Sequence, residues 1–220
     1  MHPLIRPFAP LARQLRRLRR DRRGVSVLEF GLMTPIVTGM LMAGTDLVMF
    51  SNAHQEVSRL ATSTADLASR YRASIDEKDI ATLFLGGRMA ITGIDFGEHG
   101  RLILSSVTRN SVTPSTGHWI RWQRCFGKQQ ATSRLGAEDA GRTTTDIPNV
   151  GGMTLNDGDN VMFVEATYEY QPMFFDGVVG ERTITYSAAY MAREIALTGL
   201  TNTTNIATAN RKLCTYFTKT

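Results

Sequence analysis

An arginine-rich arm running straight into an uncharged apolar stretch constrains this chain more than any other feature. Residues Arg20 to Phe50 read RDRRGVSVLEFGLMTPIVTGMLMAGTDLVMF, and within them Phe30 to Thr45 is a run of 16 residues without a formal charge, bracketed by Glu29 and Asp46. As one helix, Val25 to Phe50 is about 39 Å long at 1.5 Å per residue. That length crosses a hydrocarbon core of about 30 Å and leaves Asp46 near the outer interface. A buried helix of a soluble protein can be equally apolar, but it has no need of the arginines upstream.

Charge is divided unevenly along the chain. Eight arginines precede Gly24 (Arg6, Arg13, Arg16, Arg17, Arg19, Arg20, Arg22 and Arg23) against one acid, Asp21, so this leader carries +7. The whole chain is +5, which leaves 17 basic against 19 acidic residues after the leader, or −2. A nucleic-acid face would spread cations and aromatics over a folded surface. A cationic arm beside an apolar helix reads instead as a positive-inside signal, kept in the cytoplasm against anionic lipid, and nucleic acid is not an expected partner. The competing reading is a secretory signal peptide with a small-x-small cut at Ser51-Asn52-Ala53, whose apolar region would have to contain Glu29, Pro35 and Asp46.

Glu29 is the anomaly of the span. A carboxylate at the edge of an apolar segment costs on the order of 2 to 3 kcal/mol by insertion scales, so it calls for a partner. Cleavage after Gly24 would create one, because the new α-amine of Val25 lies at the same depth and a neighbouring copy's amine can neutralise the carboxylate. Snorkelling to the interface is the alternative, and spacing does not separate the two. Pro35 removes a helical hydrogen bond and crowds the Gly31 carbonyl, which predicts a kink. Gly39 and Ala43 stand four apart on one face and suit close helix packing, although glycine is common in membrane helices generally.

Gly24 followed by VSVLEF resembles the prepilin-peptidase site of type IV pilins and their relatives, with Gly at the cut and Glu at the fifth mature position. The arginine-rich leader, the Glu-Phe pair and GLMTPIVTGMLM resemble more specifically the TadE/TadF family of tight-adherence (Tad) pilus assembly proteins, processed as minor pseudopilins. VMFVEATYEYQPMF and the later TITYSAAYMARE are similar to the C-terminal strand pair of TadE-like proteins. The resemblance is strong over residues 20 to 50. It implies processing at Gly24 and Val25 by a prepilin peptidase, assembly through Glu29, and partners among other Tad pilins, pseudopilins and the pilus assembly machinery. It also implies a single-pass protein of a bacterial inner membrane, in contact with lipid, with its N-terminus cytoplasmic and its C-terminal domain periplasmic or carried into an extracellular pilus for adherence and surface colonisation. A pseudopilin of a type II secretion apparatus fits less well, since the long uninterrupted helix with early Thr-Leu-Ile-Glu character is missing.

Beyond the span the helical period continues. Val57, Leu60, Ala61, Thr64, Leu67, Ala68 and Tyr71 recur at spacings of three and four, which predicts one helix from about Val25 to about Arg72, half in the membrane and half on a globular domain. Asp76 to Ile91 predicts a second helix capped by Ser74, with Gly86-Gly87 ending or bending it. Arg101 to Arg109 and His118 to Phe126 read as strands, Lys128 to Gly152 as a long surface loop, and NDGDN (156–160) as a turn rather than a calcium loop. In the strand that follows, Met162, Val164, Ala166, Tyr168 and Tyr170 share one face; Ile184, Tyr186, Ala188 and Tyr190 repeat the pattern. These predict an antiparallel pair packed on the long helix, with the tail from Thr198 to Asn210 as loop. The expected class is α+β, divided as leader 1–24, transmembrane and spine helix 25–72, and extracytoplasmic domain 73–220.

Candidate sites are few. Cys125 and Cys214 fall on the same non-cytoplasmic side in this topology, where a disulfide can form and tie down the tail; two separate buried thiols are the alternative. Met173, Phe174, Phe175, Val178 and Val179 form either a core plug or an exposed contact patch for another subunit. Trp119 and Trp122 read as core or interface anchors. His2, His54, His99 and His118 are scattered, and no metal-ligand spacing, nucleophile elbow or phosphate loop occurs. The expectation is therefore a non-enzyme without cofactor, metal or small-molecule substrate, and the rival outside this class is a membrane-anchored exported enzyme or binding domain.

Overall fold

The computed structural model describes residues 24–72, 74–110, 117–143, 147, 152, 155–174, 179–192 and 199–218; the arm before Gly24, and Phe175 and Val178 of the expected patch, lie outside them. One helix, α1, runs from Val25 to Ser69 over 45 residues and contains Pro35 without interruption of the element. Its C-terminal half is amphipathic: Ala53, Val57, Leu60, Ala61, Ala65 and Ala68 are buried. The small alanines on this stripe let the helix backbone approach what it packs on.

A two-residue strand, β1 (Ile75–Asp76), leads into α2 (Glu77–Ala90). Asp76 caps α2, where Ser74 was expected. Its carboxylate accepts the Lys78 N–H at 3.0 Å, and Asp79 accepts the Asp76 N–H at 3.0 Å in return. The reason is that Ile75 and Asp76 are held extended by pairing, so the helix cannot begin earlier. Gly86-Gly87 does not end α2, which continues to Ala90, and Gly87 is a packing position. A Cβ on Gly87 would sit 2.9 Å from Leu60 Cδ1 and 3.4 Å from Thr64 Oγ1, so a side chain there would force the buried Leu60 side chain to shift. Leu67, expected on the buried stripe, is 47% exposed and lines a shallow groove with Tyr71, Leu83 and Gly86.

A short turn of helix, α3 (Phe96–His99), precedes the sheet. The strands are β2 (Gly100–Arg109), β3 (His118–Phe126), β4 (Asn160–Tyr170) and β5 (Arg182–Met191), close to the stretches read from alternation. Their order is β3-β2-β4-β5, antiparallel throughout. Met162, Val164, Ala166, Tyr168 and Tyr170 of β4 and Ile184 and Ala188 of β5 pack on the buried stripe of α1, together with Leu102, Leu104 and Trp122. Tyr190, at the far end of β5, is 41% exposed instead.

The opposite face of the sheet is also covered, which alters the reading of 128–152 as surface loop. Leu135 and Ile147 from that segment and Leu155 join Val107, Ile120, Val161 and Phe163 in a second cluster. β2 is buried along nine of its ten residues for this reason; alternation fades in a strand covered on both faces.

The tail is likewise more than loop. β6 (Leu200–Thr201) pairs parallel with β1, and Asp76 accepts hydrogen bonds from the Thr203 N–H and from the hydroxyls of Thr203 and Thr204. These donors, with the Lys78 N–H foremost, hold the Asp76 carboxyl well below the usual range. Further on, a disulfide joins Cys125 to Cys214, and the edge of β3 is covered by tail carbonyls: Cys125 N–H donates to Lys212 O at 2.7 Å and Gly127 N–H to Thr218 O at 2.9 Å. A buried ion pair ties α2 to the same strand, Arg124 Nη2 to Glu77 Oε1 at 2.6 Å, with Arg124 Nη1 on Glu138 at 2.8 Å.

Candidate functional site

The N-terminal half of α1 has no protein around it. In its most apolar 18-residue window, of mean hydropathy 1.6, nothing is buried, and Phe30 and Met40 are more than 70% exposed. A helix that is apolar all round and bare in the free chain requires cover from lipid or from other helices. Its threonine hydroxyls are already turned inward on the helix. The hydroxyls of Thr34, Thr38 and Thr45 donate to the carbonyls of Phe30, Thr34 and Leu41 at 2.7 to 2.8 Å, so none of the three asks for water.

The residues expected to matter for processing lie at the tip of this helix. Gly24 is its N-cap and Val25 its first residue, so a cut after Gly24 would leave the new amine on the first turn. Glu29 follows one turn later and is exposed. Gly39 has no neighbour within 4 Å of where a Cβ would stand, and it is seven residues before Asp46, on the same side of the helix. The alternative cut after Ala53 would fall inside the domain core, where Ala53 is fully buried in α1.

Asp46 marks where the bare half meets the domain, and sequence reasoning gave it only a depth. The residue is 0% exposed. Its Oδ1 accepts the backbone N–H groups of Met173 and Phe174, each at 3.2 Å, and its backbone carbonyl accepts the Tyr170 hydroxyl at 3.1 Å. The segment after β4 is thereby clasped to the helix. Of the patch named from sequence, Val179 is buried in the core, whereas Met173 and Phe174 are 64% and 48% exposed. Among the described residues of that patch, Val179 thus serves the core while Met173 and Phe174 are open. One turn beyond Asp46, edge-on rings run from Tyr170 to Phe50 to His54 to Tyr186, with centroids 4.6 to 5.8 Å apart.

Away from the helix, a cavity of about 460 Å³ lies between the outer face of the sheet and the tail, lined by Arg101, Gln123, Ser133, Glu138, Phe217 and the disulfide. Its ionisable groups are engaged in holding the fold. Arg101 donates to the carbonyls of Gly127, Tyr216 and Cys214 at 2.7 to 2.9 Å, and its guanidinium lies 4.3 Å from the Phe217 ring centroid. Burial lowers its pKa to about 10. Glu138 is occupied by Arg124 and the Gln123 N–H. Trp122 is core, and Trp119 lies under the guanidinium groups of Arg121 and Arg142. Among the described residues no three His, Cys, Asp or Glu side chains are grouped to hold a metal ion. Comparison with protein-family models, characterised proteins and solved structures finds no match to this chain.

Proposed function

We propose that this protein is a minor pseudopilin of the TadE/TadF type, a structural component in assembly of a Tad pilus. The observation that carries the reading is the two-sided α1: one continuous helix whose first half is apolar and bare and whose second half is the spine of an α+β domain. In this reading the arginine arm stays in the cytoplasm, the first half spans the inner membrane, and the sheet domain lies outside it. A prepilin peptidase cuts after Gly24. The freed Val25 amine of one subunit meets Glu29 of a neighbour, and the bare helices then pack together, with Gly39 and Ala43 at the contact. The sheet domain supplies partner specificity.

Two measurements test this. The first is the N-terminal sequence and intact mass of the membrane-extracted protein from cells with and without their prepilin peptidase. A mature start at Val25 that requires the peptidase is expected; a start at His54, or an intact Met1 in both strains, would overturn the reading. The second is Glu29→Ala, which should abolish assembly or adherence while leaving membrane insertion intact. Unchanged adherence would favour a membrane-anchored exported domain of another kind.

A further inference from the structure

We infer that Met173 and Phe174 form a second membrane contact, seated in the outer leaflet of the bilayer that α1 crosses. This rests on the reading of α1 as a membrane span and adds to it a fixed attitude of the domain on the bilayer surface.

Depth carries the argument. From Val25 to Asp46 the helix rises about 32 Å at 1.5 Å per residue, close to the roughly 30 Å of a hydrocarbon core. With Val25 at the inner boundary, Asp46 arrives at the outer one. The Met173 and Phe174 amides are held 3.2 Å from the Asp46 carboxylate, so they share its depth. Their side chains are exposed, and so are Leu47 and Val48 on the helix just past Asp46, at 60% each. Apolar side chains are therefore exposed both on the bare helix and on the segment clasped to its outer end. The chemistry of the clasp suits the location, since the Asp46 carboxylate at the edge of the hydrocarbon is already satisfied by two amides. Phe50 stands one turn further out and Tyr186, against His54, about two turns out, both partly exposed toward the level where amphipathic rings favour the headgroup region. A second subunit could also cover two exposed side chains. The shared depth with the end of the span favours lipid.

The test uses the full chain reconstituted in phosphatidylcholine vesicles, with a small environment-sensitive fluorophore on one introduced cysteine: Phe174→Cys, Met40→Cys within the span, or Asp157→Cys at the opposite end of β4. Quenching is read with lipids brominated at shallow or deep acyl positions. Met40 should lose most of its emission to deep bromines, Phe174 most of its emission to shallow ones, and Asp157 almost none. Adding Asp46→Ala should relieve quenching at Phe174 and leave it unchanged at Met40. Quenching at Met40 with none at Phe174 would overturn the inference while sparing the span, and would assign the patch to a protein partner. Absence of quenching at Met40 would overturn the span itself and the inference with it.

Discussion

Replacing both Cys125 and Cys214 by Ser should cost the folded domain about 4 to 5 kcal/mol. The bond links residues 89 apart in sequence. In the chain-entropy relation, closing a loop of about 90 residues removes roughly 15 cal/mol/K from the unfolded ensemble, or about 4.6 kcal/mol at 25 °C. The folded tail should remain docked in the variant. Its other tethers survive, namely the Lys212 and Thr218 carbonyls beside β3 and the Cys214 and Tyr216 carbonyls on Arg101. The loss should thus come mainly through the unfolded chain. At about 2 to 4 °C per kcal/mol for a chain of this size, Tm should fall by about 9 to 18 °C. The assay is thermal and urea unfolding of the detergent-solubilised full chain followed by tryptophan fluorescence, comparing the variant with the native protein, oxidised and reduced. Trp122, buried in the core, reports directly. A loss below about 1 kcal/mol would refute the loop-closure reasoning and mean that the unfolded chain is already restrained there. A loss well above about 6 kcal/mol would mean that the tail has come away and opened the edge of β3.

Two further predictions concern neighbouring glycines and a capping acid. Gly86→Ala should raise stability by up to about 1 kcal/mol, because open space surrounds a Cβ there and alanine favours the helix. Gly87→Val should lower stability by about 2 kcal/mol through overpacking against Leu60, and equal effects at the two positions would contradict the observed approach of α1 and α2. The Asp76 carboxyl has its folded pKa lowered by the Lys78 and Thr203 N–H groups and the Thr203 and Thr204 hydroxyls. Its contribution is therefore complete above the ordinary aspartate pKa near 4 and is lost as pH falls below that value. Protection of the Thr203 amide, measured against its intrinsic exchange rate at each pH, should fall across that window, and Asp76→Asn should speed exchange already at neutral pH; unchanged exchange in that variant would remove Asp76 from its place as the tail's anchor.

Sequence alone determined the elements whose signal is periodic and local. The apolar run between Glu29 and Asp46, the three-four spacing from Val57 to Ala68 and the alternation of β4 and β5 each imply their element, because burying one face is the same requirement wherever the partner lies. These were enough for the α+β class and for the long helix against the antiparallel pair. Tertiary structure decided which polar groups meet across distance. Nothing near Asp46 in sequence points to the amides 127 and 128 residues away, nor does Glu77 announce Arg124, 47 residues on. The cover of the second sheet face was hidden because Leu135, Ile147 and Leu155 are isolated apolar residues in polar surroundings, without a period to read. Ser74 and Gly86-Gly87 have the chemistry of a cap and a stop. The pairing of β1 with β6 and the proximity of Leu60 gave the cap to Asp76 and turned Gly87 into a packing contact, since local propensities of about 1 kcal/mol yield to contacts made across the fold.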